Sequence, residues 1–257
     1  MNRNKRIISA LLCSVFFFML LGLPGISAEK ELYINGIDAD YPPHAYVDEK
    51  GNPAGFDVEA LDWIAEEMGF EVTHQPTAWD GIVSSLLAKK IDMVFSGMSI
   101  TEERKEKVNF TMPYWSIDQA ISVRNDSDLN AIEIFMGDYT VGTQRGCTAA
   151  MWIEDNLINQ DLFPKDSLKL YEGFSLAVQD LLNGRVDAAM MDDVMVEDAI
   201  RKGMDIKVIG TIKTGEEYGV AVRKEDTELL ELLNEGINRI MNSPKWDELK
   251  AKYFQAQ

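Results

Sequence analysis

Residues 96–104 read SGMSITEER and follow an apolar run, residues 91–95, that is typical of a buried strand. The segment contains a glycine and three hydroxyl residues and ends on Arg104, next to a charged helical turn. A guanidinium group can bind a carboxylate through two parallel hydrogen bonds, so this strand end is suited to hold a small carboxylate. A plain strand followed by a helix capped by Thr101 explains the same residues equally well. The segment alone leaves both interpretations open.

Strands and helices alternate before this segment. We predict a strand over residues 31–37, an irregular loop at 38–43, where two prolines occur, and a turn at 48–51. Asp57 is expected to cap a helix that ends at Gly69, and Asp80 a second helix, with a short strand at residues 70–73 between them. This order predicts parallel strands joined by right-handed crossovers.

A second block with the same alternation follows Pro113. It is expected to contain strands over residues 120–123, 139–143, 167–171, 186–191 and 206–209, with helices between the later ones. A last strand is predicted over residues 218–223, and helices over residues 227–254 with a break at Pro244. The two blocks predict two α/β units of about 100 residues each, and the pattern leaves open which unit the last helices join.

The N-terminus has the pattern of a secretory signal peptide. Residues 1–28 contain three basic residues, an apolar run over residues 7–23, and small residues at 26–28. An uncleaved membrane anchor is the alternative, because a mostly apolar run of 17 residues is near the lower limit for a membrane span. Cys13 lies early in the apolar run, after two leucines rather than small residues, which disfavours a lipoprotein cysteine. We therefore expect an exported protein, in the periplasm or at the cell surface, with anchoring as the alternative.

The charge of the chain excludes one class of partner. The formal net charge is −18 at pH 7, and it becomes −21 without residues 1–28, which carry three positive charges and no negative ones. Nucleic-acid binding needs clustered Lys and Arg side chains, so we expect no nucleic-acid partner. The strong negative charge fits a self-repelling secreted protein, and we expect a monomer.

The remaining cysteine and the two histidines do not indicate catalysis or metal binding. Cys147 has no histidine near it in sequence, so we interpret it as a small buried residue at a helix start rather than a nucleophile. His44 and His74 lack acidic or cysteine partners at metal-ligand spacing, and are expected to be solvated or hydrogen-bonded. We predict no metal site and no cofactor, and we find no phosphate loop, dinucleotide fingerprint or nucleophile elbow.

Charged residues follow three of the predicted strands. Asp38, Arg104 and Asp192 lie at strand ends or just beyond them, where open α/β sheets place their ligands. Two carboxylates and one guanidinium suit a zwitterion. Asp38 could instead accept turn amides, and Asp192 or Asp193 could be an ordinary helix cap.

Three further features could complete a site for a small zwitterion. Tyr41 and Trp79 could form apolar walls or cation–π faces, although most aromatic residues are core residues. Residues 146–148 open a helix whose free N–H groups could bind a carboxylate.

Five segments together resemble a known family, the periplasmic or extracellular solute-binding proteins of polar amino-acid ABC transporters (family 3). The segments are DADYPP (38–43), GFDV (55–58), WDGI (79–82), SGMSITEER (96–104) and GRVDAA (184–189). The resemblance extends over about residues 31–254. It implies an α/β fold of the two-lobed periplasmic-binding-protein type II, with each lobe a sheet flanked by helices and two crossing strands between them.

The resemblance also implies domain boundaries. Residues 29–120 would form the first lobe and residues 121–217 the second. Residues 218–257 would supply the return strand and the C-terminal helices of the first lobe. The ligand would lie between lobes that close on it by hinge motion.

The family resemblance assigns roles to the residues that would hold the amino-acid backbone. Arg104 matches the arginine that binds the α-carboxylate, and Thr148 matches a residue whose backbone N–H assists from the other lobe. Asp192 matches the acid that binds the α-ammonium group. Gly97 and Ser99 would contribute carbonyl and hydroxyl groups.

Other matched residues would select the ligand side chain. Tyr41 and Trp79 match an aromatic pair that encloses it, and Asp38 matches a side-chain reader found in members for basic or amide amino acids. Gln144 lines the same region. Arg145 is adjacent and would instead favour an acidic side chain, unless it points to solvent.

The resemblance implies a binding protein, not an enzyme, that delivers a polar amino acid to the membrane subunits of an ABC permease. Arginine or lysine is the favoured ligand, and glutamine is next. Secreted cyclohexadienyl or arogenate dehydratases share the fold and are one alternative. A sensor that reports to a separate membrane partner is the other.

Overall fold

Two α/β lobes make up the computed structural model, which describes residues 30–255. The predicted signal peptide, residues 1–28 with Cys13, lies outside the described residues. No helix within residues 30–255 has the length and apolar character that a membrane crossing requires.

Thirteen strands are found in this part of the chain. In chain order they are β1 (Leu32–Ile37), β2 (Asp40–Tyr41), β3 (Ala45–Val47), β4 (Pro53–Ala54), β5 (Glu71–Pro76), β6 (Met93–Val94), β7 (Val108–Phe110), β8 (Trp115–Arg124), β9 (Val141–Gln144), β10 (Leu168–Tyr171), β11 (Ala188–Asp192), β12 (Ile206–Tyr218) and β13 (Ala221–Arg223).

Nine α-helices accompany them within residues 30–255. They are α1 (Phe56–Met68), α2 (Ile82–Leu87), α3 (Glu102–Lys107), α4 (Ala131–Met136), α5 (Thr148–Ile153), α6 (Phe174–Leu182), α7 (Asp193–Arg201), α8 (Thr227–Met241) and α9 (Pro244–Phe254). The predicted break at Pro244 is confirmed, because α9 begins there.

The first lobe is built on a sheet with the order β5-β1-β6-β13-β7. β1 pairs in parallel with β5 and β6, as the strand–helix–strand order predicts, whereas β13 is antiparallel to its neighbours. A small separate sheet, β2-β3-β4, lies where the sequence predicted an irregular loop at residues 38–43. That prediction was wrong for Asp40 and Tyr41, which pair with β3.

The second lobe is built on a sheet with the order β10-β9-β11-β8-β12. β9 is parallel to β10 and β11, whereas β8 is antiparallel to β11 and to β12. β8 and β12 pair along their length, from Trp115 opposite Tyr218 to Arg124 opposite Ile206. They are the two strands that connect the lobes.

β12 is longer than predicted. The sequence suggested one strand over residues 206–209 and another over 218–223. The first instead continues to Tyr218, because β8 pairs with it at both ends and in the middle, with irregularities after Val208 and after Ile212. β13 then enters the first sheet after two residues. The predicted strand at 120–123 is likewise only the second half of β8.

The last two helices pack on the first lobe. The Tyr253 hydroxyl in α9 donates to Glu59 of α1 over 2.7 Å, and Arg239 of α8 pairs with Glu67 over 3.2 Å. The backbone of α8 approaches α1 closely at Gly236, where a Cβ atom would clash with Ile64. The division at residues 120/121 and 217/218 stays a prediction.

Two of the predicted helix caps are confirmed and two are wrong. Thr101 accepts the Arg104 N–H over 3.2 Å, and Gly69 ends α1 in the left-handed conformation. Asp57 does not cap α1, because Gly55 occupies the cap position and Asp57 is the fully buried second residue of the helix. Asp80 makes no capping bond and lies in a 3-10 turn before α2.

Candidate functional site

A small cavity of about 10 Å³ lies between the lobes at the ends of their parallel strands. Eight of the nine predicted site residues line it: Tyr41, Trp79, Gly97, Ser99, Arg104, Gln144, Thr148 and Asp192. The ninth, Asp38, contacts Gln144 from outside the lining. Cys147 and Met191 also line the cavity and were not predicted to do so.

Arg104 is placed by the local sequence around it. The Thr101 side chain caps the N-terminus of α3. Arg104 follows three residues later in the helix and is 6% exposed. Its Nη1 donates to the Ser99 carbonyl over 2.9 Å, and its Nη2 to the Gly146 carbonyl of the other lobe over 3.1 Å. Burial lowers the pKa of Arg104, while nearby acidic groups oppose this shift. A guanidinium so held presents a fixed positive charge to the cavity.

Asp192 faces Arg104's lobe from the end of β11. It occupies the cap position of α7, but its side chain makes no capping bond, so the ordinary-cap interpretation is wrong. Its Oδ2 instead accepts from the Tyr41 hydroxyl and, over 2.6 Å, from the Tyr218 hydroxyl. Its Oδ1 accepts from Gln119 Nε2 over 2.6 Å.

Two opposing effects act on the charge of Asp192. Burial, and to a lesser extent the neighbouring Glu216 carboxylate, raises the pKa of Asp192 above its usual value, and the three hydrogen bonds offset only part of this shift. Burial raises the pKa of Tyr41 and of Tyr218 well above the usual value, so both hydroxyls stay protonated as donors. Asp192 is therefore a buried carboxylate surrounded by neutral donors, which an incoming ammonium group could replace.

Tyr41 and Trp79 lie on the first-lobe side of the cavity. Their ring planes are 9° from parallel, with centroids 6.5 Å apart, and the Arg104 guanidinium carbon is 5.4 Å from the Trp79 ring centroid. The Trp79 Nε1 donates to the Gly146 carbonyl of the second lobe over 3.2 Å. Flat aromatic surfaces of this kind suit the apolar part or the cation of an amino-acid side chain.

Asp38 and Gln144 join the lobes beside the cavity. Gln144 Nε2 donates to Asp38 Oδ2 over 2.6 Å, and both residues are at least 95% buried. Burial raises the pKa of Asp38 to about 6, while its bond to Gln144 opposes the shift. The backbone of Asp38 is also held in place, because its N–H donates to the Ser96 hydroxyl over 2.9 Å. Asp38 is therefore a carboxyl group with a raised pKa at the edge of the cavity.

Gly97 is fixed by a buried acid that the sequence analysis interpreted only as a helix cap. The Gly97 N–H donates to Asp57 Oδ2 over 2.6 Å, and the Tyr114 hydroxyl donates to the same oxygen over 2.8 Å. Gly97 has φ +58°, and a Cβ atom there would clash with the Tyr41 ring. His44 Nδ1 lies 3.0 Å from Asp57 Oδ1, so its predicted hydrogen bonding is confirmed. The first-lobe half of the cavity thus rests on a buried polar network.

Cys147 and Thr148 begin α5 on the second-lobe side. The Cys147 thiol is 3.3 Å from the Thr143 hydroxyl and accepts the Ala150 N–H over 3.4 Å. Burial raises the pKa of Cys147 to about 11, which keeps it a neutral thiol and fits the predicted packing role. The Thr148 hydroxyl accepts from Gln119 over 3.2 Å.

Arg145 does not line the cavity. Its side chain is half exposed and lies 3.6 Å from Asp80 of the first lobe, at the rim of the cleft. The alternative in which Arg145 selects an acidic ligand side chain has no support in this geometry.

The sequence analysis missed the groups that hold Asp192. Tyr218 and Gln119 lie on the two connecting strands, and Gln119 Nε2 also reaches Glu216 over 3.1 Å. The sequence did offer one signal for Gln119, because it is a polar residue in the middle of a mostly buried strand. Tyr218 had no such signal, because its partner is 26 residues away in sequence.

Comparisons with known proteins agree with this architecture. Residues 33–256 match the family model of bacterial extracellular solute-binding proteins, family 3. The L-arginine-binding protein of Pseudomonas aeruginosa is 33% identical, covering 91% of this chain and 92% of its own. The probable histidine-binding protein of Neisseria gonorrhoeae is 29% identical, covering 99% and 97%.

Solved structures show the same two-lobed fold. An ancestral arginine-binding protein bound to arginine is 34% identical, with a TM-score of 0.81 over 88% of this chain and 99% of its own. An ancestral arginine-binding protein bound to glutamine is 34% identical, with a TM-score of 0.79 over 88% of this chain and 98% of its own. The ancestral amino acid-binding protein AncCDT-1, a precursor of cyclohexadienyl dehydratase, is 32% identical, with a TM-score of 0.77 over 87% and 96%. The predicted fold class, a two-lobed type II periplasmic-binding-protein fold, is confirmed.

Proposed function

Because this chain belongs to the bacterial extracellular solute-binding proteins, family 3, we propose that it binds one polar amino acid between its lobes, outside the cytoplasm, and delivers it to the permease of an ABC transporter. Arginine or lysine is the preferred ligand, with glutamine next. The protein acts as a monomer and has no catalytic role.

One observation carries the proposal: Arg104 and Asp192 reach the same cavity from opposite lobes. Arg104 is 6% exposed and Asp192 is 3% exposed, so each charge has little access to water. An amino acid that pairs its carboxylate with Arg104 and its ammonium group with Asp192 would bridge the lobes. Such a ligand favours the closed arrangement, because only there does it contact both charges.

The side-chain preference is supported by three groups beyond these two. Asp38 offers a negative charge, and Tyr41 and Trp79 offer aromatic surface, a combination that suits a cationic or amide side chain. Relatives described as binding arginine or histidine fit this preference. The related ancestral protein bound to glutamine supports the second choice.

Calorimetry with L-arginine, L-lysine and L-glutamine on the purified protein tests the proposal. We expect tight binding of at least one, and loss of about 100-fold or more in affinity in Arg104→Ala, because a charge-assisted pair is removed. Arg239→Ala is the matched control, since the ion-pair partners of Arg239 within residues 30–255 are Glu67 and Glu235, both in the first lobe. Unchanged affinity in Arg104→Ala would refute the site.

A thermal-shift screen of the common amino acids tests the side-chain class separately. We expect cationic or amide amino acids to raise the melting temperature. If glutamate alone stabilised the protein, the assignment of Asp38 as the side-chain reader would be wrong.

A second candidate function comes from the likeness to AncCDT-1, whose description names a dehydratase descendant. That relative is itself described as amino acid-binding, which favours the binding role here. Incubation with prephenate or arogenate distinguishes the two, because a dehydratase would convert either one to an aromatic product and a binding protein would return it unchanged.

A further inference from the structure

Two helices each have one terminus in contact with a side chain of the opposite lobe: the N-terminus of α6 and the C-terminus of α9. α6 of the second lobe begins after Gly173, which has no side chain to cap it. α9 of the first lobe ends at Phe254. The first N–H groups and last carbonyls of a helix lack partners within the helix, so both ends need outside groups.

Asp40 of the first lobe supplies the cap of α6. Its Oδ2 accepts the Ser175 N–H over 3.1 Å and the Ser175 hydroxyl over 2.6 Å. A Cβ atom on Gly173 would clash with this carboxylate, so the glycine leaves the space in which Asp40 sits. A carboxylate at a helix N-terminus is also favoured by the helix dipole.

Arg201 of the second lobe supplies the complementary contact at the end of α9. Its Nη1 donates to the Phe254 carbonyl and its Nη2 to the Tyr253 carbonyl, each over 3.3 Å. The same guanidinium pairs with Asp198 over 2.7 Å, which fixes its direction. A cation at a helix C-terminus is favoured by the dipole in the same way.

We propose that Asp40 and Arg201 are positioning residues that set ligand affinity from outside the cavity, because each closes a helix end that belongs to the other lobe. Neither residue lines the cavity. Both contacts join residues of opposite lobes and stabilise the arrangement in which the lobes meet. Losing either one therefore shifts the open–closed equilibrium toward the open form. The apparent affinity of a ligand falls by the factor by which the closed population falls.

The statement about affinity rests on the proposed binding function, but the coupling between the two contacts does not. Opening the lobes breaks both contacts at once. A substitution at Arg201 should therefore expose the Ser175 N–H, although the two residues cap different helices in different lobes. A purely local structural role of Arg201 would change only the surroundings of α7 and α9.

Hydrogen exchange on the full chain without any amino acid tests the coupling. We expect Arg201→Gln to speed exchange of the Ser175 N–H by about fivefold, the typical effect of losing one helix-end contact. Arg239→Gln is the matched control, since its ion pairs stay within the first lobe. Unchanged exchange at Ser175 in Arg201→Gln would overturn the proposal whether or not the protein binds amino acids.

Calorimetry with L-arginine tests the effect on affinity. Asp40→Ala should weaken binding about fivefold to tenfold, and Asp40→Asn less, because an amide oxygen can still accept the Ser175 N–H. Asp187→Ala is the matched control: Asp187 accepts the Thr140 N–H and hydroxyl over 2.8 Å each, the same chemistry within one lobe. Equal effects of Asp40→Ala and Asp187→Ala would show a structural role only and refute the proposal.

Discussion

Asp57 and Asp192 are both buried carboxylates with several hydrogen-bond donors, yet they differ in where the donors come from. Asp57 accepts from Gly97 and Tyr114, which belong to its own lobe. Asp192 accepts from Tyr41 of the opposite lobe and from Tyr218 on a connecting strand.

The difference shows that burial of a charge does not by itself mark a ligand site. The donors to Asp57 stay in place whether the lobes are open or closed, so this carboxylate supports the fold. One donor to Asp192 leaves when the lobes separate, so this carboxylate can exchange a protein partner for a ligand ammonium group. Substitutions at the two sites should therefore affect different properties.

The largest effect is expected for Asp57→Ala. The change leaves the Gly97 N–H, the Tyr114 hydroxyl and His44 without their buried partner. We expect the free energy of unfolding to fall by about 3–5 kcal/mol, the usual result of removing one member of a buried charged network. Urea denaturation measures this. A decrease below about 1 kcal/mol would show that water or a rearranged loop satisfies the donors.

Asp192→Ala should reduce ligand affinity more than stability, the reverse of what we expect for Asp57→Ala. We expect the affinity for the amino-acid ligand to fall by about 100-fold or more, because the ammonium group loses its buried counter-ion. Stability should fall by less than in Asp57→Ala, since Tyr41 and Tyr218 can reach each other. Calorimetry and urea denaturation on both variants make the comparison. Similar stability losses with unchanged affinity would remove the distinction between the two acids.

Asp38 adds a pH dependence to the comparison. Its pKa is raised to about 6 by burial, so it is protonated below that pH and charged above it. A cationic side chain bound to the charged form would lower this pKa, so affinity should be constant above about pH 7 and weaken about tenfold on going to pH 5. Calorimetry with L-arginine between pH 5 and 8 measures the profile. Asp38→Asn should flatten it, and a flat profile before the substitution would contradict the role of Asp38.

Tyr218→Phe should have the smallest effect. It removes one of the donors to Asp192 and leaves the ring packing in place. We expect a change in ligand affinity of about fivefold or less, near the net value of one hydrogen bond. Tyr114→Phe is the matched control, because its hydroxyl donates to Asp57 instead. If Tyr114→Phe changed affinity more than Tyr218→Phe, the separation between supporting and ligand-facing acids would need revision.

Local sequence was sufficient for one half of the site. Thr101 and Arg104 are three residues apart, and the cap that begins α3 also sets the direction of the arginine. Asp57 and Asp80 show the limit of this reasoning. Both follow cap patterns, but the glycine before Asp57 and the 3-10 turn around Asp80 take over those positions. Replacing Asp by Gly at a helix N-cap costs only about a few tenths of a kcal/mol, so the sequence pattern alone does not fix which of two neighbouring residues caps the helix.

The other half of the site depended on contacts between distant residues. Gln119, Tyr218 and Asp192 lie on three strands that become neighbours only when β8 pairs with β11 and β12. Pairing between distant strands also decided the strand lengths. β12 extends to Tyr218 because β8 lies beside it. No local periodicity records such pairing, because a strand's partner does not change its own alternation of side chains.

The sequence by itself determined the alternating strands and helices, the parallel pairing of β1 with β5 and β6, the Arg104 half of the cleft and, through five ordered motifs, the family. Hydrophobic periodicity and short-range capping decide these features, and both act within a few residues. The tertiary structure alone decided which donors hold Asp192, that Arg145 points away from the cavity, and that Asp40 and Arg201 close helix ends across the lobes. These features depend on the relative placement of two lobes, which arises from contacts between residues far apart in sequence, such as Tyr41 and Tyr218, 177 positions apart.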